Sequence, residues 1–143
     1  MPDKNTKEII VAINLDRGLE LSAIIQYMGH HYEADGVDSA AVMDIFRQTA
    51  IDEMRHAEIL AERIVYLGGV PVQRPAEIKR GGALQDMIKD DLDAENGAIK
   101  RYKEHIKLCE RHGDVVTRRI LEDILIQEEG HADTWETLLA IKK

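Results

Sequence analysis

Two glutamate–histidine pairs stand out for the chemistry they could do, Glu53-x-x-His56 and Glu128-x-x-His131. Each follows a lone glutamate, Glu20 or Glu95, with the same spacing of 33 residues. Glutamate and histidine three positions apart lie on one face of a helix, so both members of a pair can point at one spot. With six histidines in 143 residues, one such pair is weak evidence. The stronger signal is a repeat, because the two halves superpose without a gap at an offset of 75 residues. Glu20, Ala23, Ile24, Tyr27 and His30 fall on Glu95, Ala98, Ile99, Tyr102 and His105. Ile45, Ile51, Glu53, His56 and Ala57 fall on Ile120, Ile126, Glu128, His131 and Ala132.

Four carboxylates brought to one level of a core are strongly destabilising when bare. Two divalent cations balance them and leave both imidazoles neutral. Oxygen-rich ligation with one imidazole per metal suits iron or manganese, and affinity alone also admits zinc. The expected ligands are therefore Glu20, Glu53, His56, Glu95, Glu128 and His131.

Helices must carry these residues. Apolar positions recur three and four apart, as in Ile9, Ile10, Ile13 and Leu21, Ile24, Ile25, Met28, which is helical periodicity. Turn residues cluster at Asp35–Asp38, at Gly68-Gly69-Val70-Pro71 through Gly81-Gly82, and at His112-Gly113-Asp114. Caps are read at Asn5 with Glu8, at Asp38, at Gly68 and at Asp114. The expected fold is all-α, one domain over 1–143, with helices near 6–33, 39–67, 83–112 and 115–142. Short first and third links make helices one and two antiparallel, and likewise three and four. The middle link, 68–82, can stretch roughly 50 Å, against about 42 Å for a 28-residue helix. It can therefore run the length of the bundle and leave helices two and three parallel. All four glutamates then fall near mid-helix, at one level, with Ile24, Ile59 and Leu60 continuing the inward stripe.

Composition narrows the function classes. The net charge of −8 is a poor fit to nucleic acid or an anionic membrane surface. No apolar run approaches the eighteen or so residues of a membrane span, and the first residues lack a signal-peptide core. The single cysteine, Cys109, excludes an internal disulfide and a cysteine-based zinc or iron–sulfur site within one chain. A soluble, cytoplasmic protein is expected. Tyr27 and Tyr102, two turns after Glu20 and Glu95, read either as donors to the ligand carboxylates or as core tyrosines. His30, His31, His105 and His112 read as solvated or capping residues. Gly18, Gly97 and Gly130 read as close-packing positions or room for a neighbour, and Cys109 and Trp135 as core.

At Ile51-Asp52-Glu53-Met54-Arg55-His56-Ala57-Glu58 and Glu128-Glu129-Gly130-His131 the chain resembles the bacterioferritins. Gly18 through Tyr27 and Asp91-Leu92-Asp93-Ala94-Glu95 extend the likeness over nearly the whole chain. A lone glutamate on two helices with Glu-x-x-His on the other two is the ligand pattern of ferritin-like di-iron bundles. The resemblance implies that Glu53 and Glu128 bridge two iron ions, with Glu20 and His56 completing one site and Glu95 and His131 the other. It implies a ferroxidase that oxidises Fe(II) to Fe(III) with dioxygen or peroxide and stores the ferric product in a homo-oligomeric cage. It also implies haem b at a two-fold dimer interface with Met54 as axial ligand. One step along a helix from Glu53 turns Met54 by about 100°, away from the metals. Leu21, Ile25, Met28 and Ile51 would wall the haem, and Arg47 would reach a propionate. The alternative for Met54 is an ordinary interface methionine. Two departures stand against the likeness. Gln48 replaces the histidine that many bacterioferritins carry five residues before the bridging glutamate, and the chain ends twelve residues past His131, without the family's short fifth helix. Two alternatives stay open, a rubrerythrin-like peroxide-reducing protein and a haem-bridged dimer without storage. Assembly is open as well, between a cage and a dimer or smaller ring.

Overall fold

A computed structural model describes residues 1–141. Among these the chain forms four long helices: α1 (Lys4–Glu33), α2 (Met43–Tyr66), α3 (Leu84–His112) and α4 (Val115–Leu138). A short 3-10 turn, Ser39–Ala41, precedes α2. The fold is the expected four-helix bundle. α1 packs on α2 and α3, α4 packs on α3 and α2, and the two hairpins α1–α2 and α3–α4 lie face to face.

Two caps differ from the sequence reading. Asp3 rather than Asn5 caps α1, its carboxylate accepting from the Thr6 N–H at 2.8 Å, so the helix starts two residues earlier. Asp38 makes no capping bond, and the chain passes through the 3-10 turn before α2 begins at Met43. Asp114 caps α4 as expected, accepting from the Thr117 N–H at 2.9 Å. That helix stops at Leu138 and not near 142, because Leu139 closes it and Ala140 turns left-handed at φ 58°. The end expected for this helix, at 142, lies outside the described residues.

The crossover runs alongside α1 in the same direction, as its length allows. Asn14 both donates to the Val70 carbonyl and accepts from the Val72 N–H. Farther up, the Ala76 N–H donates to Gly18 O, the Lys79 N–H to Gln26 Oε1, and Arg80 to Glu33. Arg17, nearly buried, donates to Val72 O, to Gln73 and to Ala57 O of α2, tying three segments together. Gly69 is needed for a close approach, since a Cβ there would sit 2.6 Å from Ile10 Cγ2.

Two apolar clusters occupy opposite ends of the bundle. One gathers Ile9, Ile13, Leu60, Ile64, Leu121 and Ile124. The other gathers Phe46, Met87, Ile88, Leu92 and Trp135. Between them lies a buried polar layer that holds Glu20, Glu53, His56, Glu95 and Glu128, all at 1% exposure or less.

Candidate metal centre

The six residues singled out by spacing meet in this layer. One nitrogen or oxygen atom from each of Glu20, Glu53, His56 and Glu128 forms a set within 4.8 Å, and Glu53, Glu95, Glu128 and His131 form a second such set. Glu53 and Glu128 belong to both. His56 Nδ1 lies 3.3 Å from Glu128, 3.4 Å from Glu53 and 3.7 Å from Glu20. His131 Nδ1 lies 3.1 to 3.3 Å from Glu53, Glu128 and Glu95. These approaches make no hydrogen bond. Each of the six side chains keeps one buried atom without a partner: Glu20 Oε2, Glu53 Oε1, His56 Nδ1, Glu95 Oε2, Glu128 Oε1 and His131 Nδ1. Buried polar atoms are normally satisfied, so six converging orphans form a ligand set open for cations. Four carboxylates and two imidazoles suit two hard or borderline divalent metals.

Electrostatics agree with that reading. Burial pushes up the carboxyls of Glu20 and Glu53, and the charge on Glu128 adds to both shifts. Glu95 is raised to about 8 by burial and by Glu128. Burial opposes the charged form of His56 and His131, yet their contacts with the surrounding glutamates outweigh it and raise both. Glu128 is held below the usual carboxylate range by His131 and His56 in spite of its own burial. Without cations, protons on these groups carry the balancing charge.

The groups around the centre cross from one half of the chain to the other. Tyr102 donates to Glu20 at 2.6 Å, and Tyr27 donates to Glu95 at 2.7 Å. The tyrosines thus hold the lone glutamates, each of the opposite half. His56 Nε2 bonds Gln127 Oε1 at 2.9 Å, and His131 Nε2 bonds Asp52 Oδ2 at 3.0 Å. With an acceptor at Nε2, each neutral ring keeps its Nδ1 lone pair for the centre. Farther out, His30 Nδ1 contacts Asp91 at 3.0 Å, and His105 Nδ1 contacts Asp16 at 2.8 Å.

Several of these partners were missed in the sequence. His30 is buried and paired, not solvated or capping, because Asp91 of α3 faces it across the hairpin interface. His105 is likewise paired, whereas His31 bonds the Met43 carbonyl and His112 bonds Glu8 near the surface. Asp16 and Asp91 stand at the same 75-residue offset, a signal present but unread. Asp52 and Gln127 precede Glu53 and Glu128 directly and share that offset too. Gly97 and Gly130 are not close-packing positions, since a Cβ at either meets nothing within 4 Å, and at Gly18 it would make only ordinary contacts. Gly97 instead lines a cavity of about 190 Å³ between α1 and α3, which reaches Glu20, Glu53 and Glu128 and is bordered by Ala94, Arg101 and, from the crossover, Glu77. Cys109 and Trp135 are buried, as expected. Met54 lies on the outer side of α2, 54% exposed, with Ile25 exposed and Leu21, Met28 and Ile51 half-buried. No helix among the described residues is long and apolar enough to cross a membrane.

Residues 10–143 match the ferritin-like domain family. A bacterioferritin of Desulfovibrio desulfuricans is 39% identical over 137 residues, covering 95% of this chain and 76% of that protein. The X-ray structure of the Desulfovibrio desulfuricans bacterioferritin, which concerns its diiron site in different catalytic states, aligns at a TM-score of 0.90 and 36% identity, over 95% of this chain and 80% of that one. A ferritin-like diiron-carboxylate protein of Bacillus anthracis aligns at a TM-score of 0.92 and 29% identity, over 96% of this chain and 99% of that one.

Proposed function

The chain belongs to the bacterioferritins within the ferritin-like family, and from that premise we propose that residues 1–143 form a single di-iron domain that oxidises Fe(II) to Fe(III) and stores the ferric product. The observation that carries the reading is the set of six buried, unpaired ligand atoms meeting at mid-bundle. Glu20 and His56 would hold one iron and Glu95 and His131 the other, with Glu53 and Glu128, which belong to both sets, serving the two positions in common. When bound, the two ferrous ions give one electron each, which with two protons reduce dioxygen to peroxide or peroxide to water.

The protein's own groups do the rest. Asp52 and Gln127 fix the two imidazole rings, and Tyr27 and Tyr102 fix the lone carboxylates. Loading requires the protons held on Nδ1 of His56 and His131 and on the raised carboxyls to leave, so cation affinity rises with pH. The cavity between α1 and α3 admits substrate, and the apolar clusters on either side keep bulk water from the layer.

The same reading extends to a cytoplasmic homo-oligomer built from dimers and closed as a cage. Met54 from each of two copies would hold haem b at a dimer interface. The exposed Met54 with its apolar neighbours on α1 and α2, and half-exposed Arg47 one turn before Ile51, suit an iron porphyrin shared by two copies. Soret absorption after haem is offered, and its loss in Met54→Ala, check this part. For the centre, Fe(II) is added at two per chain and oxidation followed by absorbance. Glu53→Ala is expected to lose the rapid phase by more than the roughly tenfold to hundredfold that an outer partner is worth. An unchanged initial rate overturns the assignment. Light scattering of the loaded protein separates storage in a cage from peroxide scavenging by a dimer.

A further inference from the structure

The two halves of the centre match in every ligand and differ in what stands behind the ligands. His131 is backed by the carboxylate of Asp52, and His56 by the neutral amide of Gln127. An anionic acceptor on the far nitrogen makes an imidazole a stronger donor to a metal, and such partners commonly change affinity by roughly tenfold to hundredfold. Asp52 also meets Arg55 through its other oxygen, but that contact is 3.6 Å long and Arg55 is largely exposed, so the charge toward His131 is only partly offset.

A second difference points the same way. Near Glu20 the guanidinium of Arg101 lies 5.3 Å from the ring of Tyr102, the tyrosine that donates to Glu20. It is bound to the fully buried Asp16 at 2.6 Å. At the matching place in the other half stands Gln26, which donates to Asp91 at 2.9 Å and brings no positive charge. A metal at the Glu20–His56 position therefore stands near a largely buried guanidinium, paired with Asp16, that its counterpart lacks. The cavity adds the third element, for it opens on Glu20, Glu53 and Glu128 and not on Glu95, His56 or His131.

We propose that the two cation positions are unequal by construction: the Glu95–His131 position, strengthened by Asp52, fills first and retains its ion, and the Glu20–His56 position, backed by Gln127 and facing the cavity, is the one that exchanges. This rests on the ligand assignment above. Asp52 acts through His131 as a positioning residue.

The test is titration of metal-free protein with Co(II), read by its visible absorption and by calorimetry, so that no oxidation enters. Two steps of one cobalt each are expected, at least tenfold apart in affinity. Asp52→Asn, at a half-exposed residue that folding tolerates, should weaken the first step by roughly tenfold to hundredfold and leave the second in place. Gln127→Glu, on the exposed side of α4, should strengthen the second step. Crystals grown with one cobalt per chain should show anomalous scattering at Glu95–His131, and at Glu20–His56 in the double variant. A single step of two equal cobalts, or an Asp52→Asn variant that weakens both steps alike, overturns this inference and leaves the di-metal assignment standing. Fewer than two cobalts per chain, or binding indifferent to Glu53→Ala, overturns both.

Discussion

Leu60 and Glu53 stand two turns apart on α2, both within 1% of complete burial, yet they do opposite things to the fold. Leu60 joins Ile9, Ile13, Ile64 and Leu121 in an apolar cluster, where burying such a side chain is worth about 1.5–3 kcal/mol. Glu53 sits among three other carboxyls, and burying an ion costs several kcal/mol unless opposite charge accompanies it. The bundle therefore stores its stability at its ends and spends it in the middle. The layer is tolerable because protons or cations neutralise it and because both lone carboxylates and both imidazoles are fixed from the opposite half.

Truncation on either side of that contrast should have opposite signs. Leu60→Ala should destabilise the protein by about 2–5 kcal/mol, seen as a lower denaturant midpoint, while cobalt still binds at two per chain. Glu53→Ala should leave the metal-free protein as stable or more so, since the cost of burying that carboxyl beside Glu128 is gone. A large loss of metal-free stability in Glu53→Ala would break the comparison.

The pH dependence sharpens it. Burial raises Glu95 from 4.5 to about 8, and His56 and His131 are raised above 6.5 by their glutamate contacts. These groups stabilise the metal-free fold below their unfolded values, and that stability is lost as pH climbs toward their folded values. Glu128, held low, works in reverse and loses its contribution only in strong acid. Thermal melts of metal-free protein should thus fall as pH rises from about 4.5 to 8. Metal-loaded protein should show the opposite trend across that range, because cations replace the protons.

Smaller effects are expected around the layer. Tyr27→Phe or Tyr102→Phe removes one hydrogen bond to Glu95 or Glu20, which should weaken cobalt binding by about tenfold with little change in fold. The two variants should act on different steps of the titration, Tyr27→Phe on the first and Tyr102→Phe on the second. Smallest of all, Asp3→Ala should cost about 1 kcal/mol at the α1 cap and nothing in metal binding.

What the sequence makes legible follows the same contrast. Periodicity finds the helices because apolar stripes repeat on each helix by itself, and the six candidate ligands are legible because Glu-x-x-His is local and the repeat sets the rest. Asp52 and Gln127 are not legible that way. One step before a ligand turns a side chain about 100° off the inward face. Only the neighbouring helix, α4 for Asp52 and α2 for Gln127, brings the opposite histidine within reach. His30 reads as a surface residue for the same reason, since its partner Asp91 lies 61 positions away. The 3-10 turn before α2 is a case of local chemistry misread, because Asp38 has the type of a cap but none of its bonds.

The crossed pairing of tyrosines with lone glutamates has a consequence for how the molecule assembles itself. Each hairpin, α1–α2 and α3–α4, is local in sequence and can form early, but neither contains a finished ligand environment. Glu20 waits for Tyr102, and Glu95 for Tyr27. The carboxylates stay hydrated until the hairpins dock, and docking is the event that strips their water and seats them together. Docking of the hairpins is thus the step at which burial makes the charges expensive. A cation present at docking takes the place of the protons that otherwise neutralise the layer, so cation binding adds to the free energy that holds the hairpins together.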